Sequence, residues 1–188
     1  KLLEENGRAH FMTKRFDREG GDTKHHIQTF CALKHVDFNL VNSFSYEQLF
    51  QTMRELKLNY QDMEQMYRRM VFNVVARNCD DHTKNFSYLM NARGEWMLSP
   101  AYDLTFNTGL NGHHQMDIEG ESLYPAREHL LALAKNAGLP LRLSTQTIDH
   151  IVAMTYQAGD ILKQYPIRSS TVESITAVIK TNINRIKT

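Results

Sequence analysis

The sequence predicts a mainly α, α+β fold in which a helical domain carries one short β-hairpin directly after its central helix. Three observations predict it. Residues 60–78, YQDMEQMYRRMVFNVVARN, place Met63, Met66, Tyr67, Met70, Val71, Val74 and Val75 at spacings of three and four, the wide apolar stripe of a buried helix. Residues 86–90, FSYLM, and 95–98, EWML, flank Asn-Ala-Arg-Gly, the composition of a hairpin with a four-residue loop. Beyond residue 124 the chain returns to helical patterning.

Taken in order, AHFMTKRFDR (9–18) alternates like a strand, with Phe11, Thr13 and Arg15 on one side and Met12, Lys14 and Phe16 on the other. REGGDTK (18–24) reads as a loop that separates this small β element from the rest of the chain. Residues 25–35 are expected to be helical. Ser45 is placed to cap a helix over YEQLFQTMRELK (46–57), and Asn59 to cap the central helix, because their side chains can accept from the first free backbone N–H groups. The methionines of that helix read as core packing. The helix stops near Asn78, and residues 99–124 are mostly irregular. Pro125 suits the first turn of a helix over AREHLLALAKNA (126–137), with Gly138 at its stop. Two further helices are expected at 145–165 and 170–187, each preceded by Ser or Thr.

The 188 residues suffice for one core, or for a large lobe of something bigger. A net charge of +1 gives no electrostatic case for direct nucleic-acid or membrane-surface binding. Two distant cysteines, Cys31 and Cys79, form no disulfide framework, and a reducing cytoplasm is expected. No apolar run approaches the roughly 20 residues of a membrane span, and no signal peptide is visible. The chain opens at Lys1 within ordinary sequence, so an upstream portion is expected.

The chemistry concentrates in NCDDHTKN (78–85) and SPAYD (99–103). Asp80 and Asn85 form D-x-x-x-x-N between the central helix and the hairpin, and the hairpin can fold Asp103 back toward Asn85. Phosphoryl transfer from ATP needs such a set: one carboxylate to accept the proton of an attacking hydroxyl, and an asparagine oxygen with a second carboxylate to hold Mg²⁺. Lys84 could neutralise charge on the transferred group. Each feature has a plainer reading. Asp80 and Asp81 also suit a turn, and His82 can simply brace the loop. His113 and His114 in HHQMD are a weak metal cluster without an evident third ligand, and otherwise a solvated or substrate-facing loop. Cys79 is a candidate thiol with no sign of activation. Trp96 reads as packing the hairpin onto the helices. Arg15 and Arg18 read either as a phosphate-facing pair or as solvated charges.

The run NCDDHTKNFSYLM, followed by WMLSPAYDL, resembles the HipA family of bacterial serine/threonine kinases, the toxin partners of toxin–antitoxin pairs. That family shows a D-x-H-x-K-N-F loop, matched here by Asp80, His82, Lys84, Asn85 and Phe86, and an apolar-x-P-x-Y-D element, matched by Pro100, Tyr102 and Asp103. FMTKRFDR is similar to the family's hinge, with Lys14 where the family has Glu, and GESLYPAREHLLALAKNAGL is similar to a later helical segment. The resemblance covers most of residues 8–140. It implies the helical C-terminal lobe of a protein-kinase-like fold over 18–188, with residues 1–17 as the last strand and hinge of an otherwise missing N-lobe. It implies Mg²⁺-dependent transfer of the ATP γ-phosphoryl to a protein hydroxyl, with Asp80 as base, Lys84 beside it, and Asn85 and Asp103 on Mg²⁺. Tyr102 and His82 would lie on the nucleotide side, the backbone at Lys14 and Phe16 at the adenine, and Asp17 at the ribose. A protein substrate, a helix-turn-helix antitoxin that binds DNA for the pair, and a bacterial cytoplasm are implied by the same resemblance. Asn78 and Cys79 stand where classical protein kinases have His-Arg. None of the nine glycines forms a G-x-G-x-x-G or Walker pattern, so the phosphate-covering loop and the ATP-pairing lysine are expected upstream of Phe11. Three alternatives stand beside this reading: a non-catalytic interaction lobe, a small-molecule phosphotransferase of similar fold, and a metal-dependent hydrolase built on Asp80, His82 and His113.

Overall fold

The computed structural model describes residues 1–40 and 43–187. Thr188, the last residue of the lobe expected over 18–188, lies outside them. Among the described residues the chain forms an α+β fold of seven α-helices and three small antiparallel sheets.

The chain opens on a two-stranded hairpin, β1 (Leu2–Glu5) and β2 (Arg8–Phe11), joined through Asn6 and Gly7 at φ 50° and 72°. Both turn residues take the positive φ of a type I′ turn, for which Asn-Gly is the favoured pair. The strand expected over 9–18 therefore ends at Phe11, and residues 12–15 run without regular structure. REGGDTK is not simply a loop: β3 (Arg18–Glu19) and β4 (Thr23–Lys24) pair across the Gly20-Gly21 turn.

The helix expected over 25–35 is corrected at its first half. Residues His26–Thr29 form β5, which pairs antiparallel with β6 (Ser87–Met90), and β6 pairs with β7 (Trp96–Leu98). The expected hairpin is thus two strands of a three-stranded sheet. Edge strand β5 gains its backbone partners from about sixty residues away, which local periodicity cannot display. Only α1 (Phe30–Lys34) is helical there, capped by the Thr29 hydroxyl accepting from Ala32 N–H at 3.0 Å. Trp96 is partly buried on the core and meets His26 edge-on at 5.6 Å.

Helix α2 (Tyr46–Glu55) starts at Ser45 with a reciprocal capping box to Gln48, and α3 (Tyr60–Val75) starts at Asn59, whose side chain accepts from Asp62 N–H at 2.8 Å. The methionine stripe of α3 is core: Met66, Met70, Val71 and Val75 are fully buried. They pack in one cluster with Leu49, Phe50 and Met53 of α2 and with three later helices. These are α4 (Arg127–Asn136), α5 (Leu141–Tyr156) and α7 (Ser169–Lys187). Pro125 lies before α4 rather than in its first turn, since Ala126 is the capping residue and its N–H donates to His129 Nδ1 at 3.0 Å. The helix expected over 145–165 begins earlier, after Pro140, and Ser144 lies inside it, donating back to Pro140 O. It also breaks at Gln157, so that α6 (Ala158–Leu162) turns Gly159 against Thr176 of α7. Asn182 of α7 caps the end of α3 by donating to Val74 O and Val75 O. Among the described residues no helix is long and apolar enough to cross a membrane.

Candidate active site

The loop after α3 is built by a conformational break and a clamp. Ala76 ends the helix and Arg77 takes φ 60°, turning the chain out of the core. The buried Arg77 guanidinium then donates to Gly112 O at 2.6 Å and Leu123 O at 3.2 Å, drawing the 110–123 segment over the loop. Residues 107–115 pair with the loop backbone: Asn107 N–H donates to Arg77 O, Cys79 N–H to Asn107 O, and Gln115 N–H to Cys79 O. Gly109 is required in this crossing. It has φ 73°, and a Cβ there would lie 2.0 Å from the His113 carbonyl oxygen and 2.8 Å from Cys79 Cβ.

The two adjacent aspartates have opposite surroundings. Asp81 is fully buried. Its Oδ2 accepts from Tyr46 O–H at 2.8 Å and lies 2.9 Å from His114 Nδ1, and its Oδ1 accepts from Gln115 N–H at 2.9 Å. Burial opposes a charged His114, but the Asp81 carboxylate outweighs it and raises the imidazole to about 9. The network continues through Asn73, which donates to the Tyr46 hydroxyl, and Asn78, which donates to Asn73. Asp80 instead leaves its carboxyl 42% exposed, with His82 Nε2 at 4.0 Å.

Asn85 closes the loop. Its Nδ2 donates to the Asp80 carbonyl at 2.8 Å, which commits the amide nitrogen to the loop and keeps the side-chain oxygen as an acceptor. His82 braces the 3-10 turn Thr83–Asn85 by accepting from Lys84 N–H at 3.3 Å. Lys84 Nζ rests over the Phe38 ring, 3.0 Å from its centroid. Asp103 is exposed and has φ 54°, a left-handed conformation that Asp tolerates better than most residues. Asn85, Tyr102 and Asp103 line one small cleft whose walls include Asn73, Asn78 and Asp81. Tyr102 is fixed by its hydroxyl, which donates to Lys84 O at 2.5 Å and also meets Ser87 Oγ. The ring of Phe16 packs on Tyr102 at 5.8 Å, tying the residues before β3 to this element.

Of the other sequence-predicted residues, Lys14 is exposed and Asp17 is buried beneath two arginines. Arg15 donates to both Asp17 oxygens at 2.8 and 2.6 Å, and Arg18 to Oδ2 at 2.6 Å. The Arg15 hydrogen bond is the main cause that holds the Asp17 carboxyl down at about 2. Arg15 and Arg18 are thus partners of Asp17. His113 pairs with Ser122, and His114 with Asp81. Among the described residues no three His, Cys, Asp or Glu side chains gather as for a metal ion. Cys79 is fully buried, which removes it from consideration as an accessible thiol. The residues that sequence reasoning missed are Tyr46, Asp81 and His114. Their only signal is a doubled aspartate and a doubled histidine, with no shared periodicity.

A hard-oxygen set of one amide and one carboxylate fits Mg²⁺, which takes few protein carboxylates and completes its shell with water and phosphate oxygens. A cavity of about 880 Å³ lies elsewhere, between α3, α5, α6, α7 and residues 98–106. Its walls are mostly apolar, and it meets the cleft at Arg69, Ala101 and Leu104. Arg69 donates to Ser99 O at 2.5 Å and so anchors the strand end that leads to Asp103. Of the two, the cleft is the one lined by Asn85 and Asp103.

Fold and loop together define a protein of the HipA-like C-terminal domain family, to which the chain belongs: the family profile matches residues 1–159. Among solved structures it is similar to HipA of Shewanella oneidensis MR-1, described in a toxin–antitoxin complex with HipB and its operator DNA. The two share 22% identity with a TM-score of 0.71, over 93% of this chain and 47% of that one. At that identity the likeness is one of fold, and the chain spans about half the length of this relative. No curated protein matches it by sequence.

Proposed function

We propose that the chain is the catalytic lobe of a protein-kinase-like phosphotransferase that moves the ATP γ-phosphoryl group to a serine or threonine hydroxyl of a protein. The single observation that carries this reading is the pairing of a solvent-reaching Asp80 with Asn85 and Asp103, the latter two lining one cleft. Asp80 accepts the proton of the attacking hydroxyl, whose oxygen forms the new bond to phosphorus as the bond to the ADP oxygen breaks. Asn85 and Asp103 hold Mg²⁺, which supplies charge neutralisation for the phosphates. Tyr102 and Phe16 form the apolar wall of the nucleotide side. Lys84 reaches the transferred group only by leaving Phe38, and Asp17 reaches a ribose only by exchanging one of its arginines. His82 serves by bracing the loop.

The same reading takes residues 1–17 as the end of a second lobe, with the phosphate-covering loop and ATP-pairing lysine in the part of the full-length protein that corresponds to the rest of the relative. What supports this is the hairpin β1–β2: all eight of its strand residues are exposed, Leu2, Leu3 and Phe11 among them. A two-stranded ribbon with apolar side chains in water is not stable by itself. A helix-turn-helix antitoxin is the proposed partner, with this chain making no direct contact to nucleic acid or membrane, in a bacterial cytoplasm.

The test is transfer of labelled γ-phosphate in the full-length protein. Asp80→Ala and Asp103→Asn are each expected to abolish transfer while the protein stays folded. An active Asp103→Asn enzyme sinks the assignment.

A further inference from the structure

We propose that His114 is a positioning residue for phosphotransfer, holding through Asp81 the stretch of backbone that presents Asp80; the proposal rests on Asp80 being the base. Three observations lead to it. First, Asp80 is the free middle of a clamped segment. On one side both backbone groups of Cys79 are paired, to Asn107 O and from Gln115 N–H. On the other, the Asp81 carboxylate is taken by Tyr46, His114 and the Gln115 N–H. The Asp80 carbonyl itself accepts from Asn85. The Asp80 carboxyl is thereby aimed by its neighbours rather than by bonds of its own.

Second, His114 is a costly residue for packing alone. It is fully buried, and its Nε2 has no oxygen or nitrogen partner among the described residues, with the Cys79 sulfur beside the ring. A buried pair of this kind is often no more stabilising than apolar residues of the same volume. Third, the loop has Asn78 two residues before Asp80, and the histidine that braces it arrives in space from the 107–115 crossing instead. The shape of that crossing is enforced by Gly109.

The experiment uses the full-length protein and its His114→Leu, His114→Asn and Asp81→Asn variants, with the His114→Leu/Asp81→Asn double. It reads kcat and KM for ATP, together with hydrogen exchange at the amides of Cys79, Asn85 and Gln115. Misplacing a catalytic group by a fraction of its reach costs up to about a hundredfold, so His114→Leu is expected to lower kcat by roughly 30- to 100-fold with KM for ATP within about threefold. Asn retains a short donor toward Asp81 and is expected to recover about tenfold of that loss. The double variant is expected to be no slower than the slower single, because both remove one linkage. The three loop amides are expected to exchange at least about tenfold faster in His114→Leu while α3 amides do not change.

A folded His114→Leu with wild-type kcat overturns the proposal. So does Asn doing no better than Leu, or multiplicative losses in the double. Should His114→Leu fail to fold, the Asn variant carries both readouts. If the wild-type protein transfers no phosphate, the phosphotransferase reading fails and the positioning role falls with it; loop exchange then decides only whether His114 braces the loop, faster exchange in His114→Leu supporting that brace and unchanged exchange refuting it.

Discussion

Replacing Asp80 and Asp81 by alanine, one at a time, separates the catalytic role proposed for Asp80 from the bracing role of its chemically identical neighbour. Asp81→Ala removes the acceptor of two hydrogen bonds and the partner of a buried imidazole. It leaves the Tyr46 hydroxyl without its acceptor, the Gln115 N–H with only the Cys79 carbonyl, and the buried His114 without the carboxylate that holds its second proton. Breaking one side of a buried, hydrogen-bonded pair costs about 3–5 kcal/mol. At roughly 2–4 °C per kcal/mol for a domain of this size, Tm falls by about 6–20 °C. Asp80→Ala removes a partly exposed carboxyl whose closest ionic contact is His82 at 4.0 Å. Such a surface change stays within about 0.5 kcal/mol, or roughly 2 °C. Differential scanning fluorimetry of the two variants beside the wild type, followed by a phosphotransfer assay at a temperature where all are folded, reads both roles. The expected pattern is a stable, inactive Asp80→Ala and a destabilised Asp81→Ala. Equal melting temperatures would refute the assignment of Asp81 as the buried brace, and an active Asp80→Ala would refute the assignment of the base.

The same geometry carries two further expected outcomes. His114 titrates near 9 in the fold against an ordinary 6.5, so its stabilisation is complete below about pH 6.5 and is lost as pH rises through about 9. That shift corresponds to about 3 kcal/mol, read as a fall in Tm between pH 6.5 and 9.5 that His114→Leu flattens. Measurements stay below pH 10, because above it the buried tyrosines Tyr46, Tyr67 and Tyr88, which burial keeps from ionising, add a loss of their own. Gly109→Ala drives a methyl group into the His113 carbonyl and Cys79 and is expected to cost more than about 3 kcal/mol. Gly94→Ala, also at positive φ but with open space around it, is expected to cost only about 1 kcal/mol by chemical denaturation. Similar losses at both positions would show that the crossing over the loop is not tight.

Much of what depended on neighbours in sequence was legible. The α3 stripe, the Ser45 and Asn59 caps and the Asn-Ala-Arg-Gly turn all report local geometry, and they stand where expected. The N-terminal hairpin had its signal in Asn6-Gly7, although the strand reading over 9–18 overlooked it. Strand β5 did not: His26–Thr29 is defined by pairing with Met90–Ser87, and its residues carry no alternation strong enough to outweigh the adjoining helix. At the site, D-x-x-x-x-N and the later Asp103 could be read as a motif, and Asn85 and Asp103 line one cleft. The division of labour between Asp80 and Asp81 could not, because it is set by Tyr46 and His114, 35 and 33 residues away. Burial of a charge is a property of the packed chain, and a doubled aspartate does not say which member turns inward.

The most direct measurement is calorimetric titration of Mg²⁺–ATP into the full-length protein and into its Asp103→Asn variant. The account predicts Mg²⁺-dependent binding by the wild type that is lost, or weakened at least about tenfold, in the variant, with the fold unchanged. Equal binding by both would contradict the placement of the metal at Asn85 and Asp103, and no nucleotide binding by the wild type would contradict the phosphotransferase reading itself.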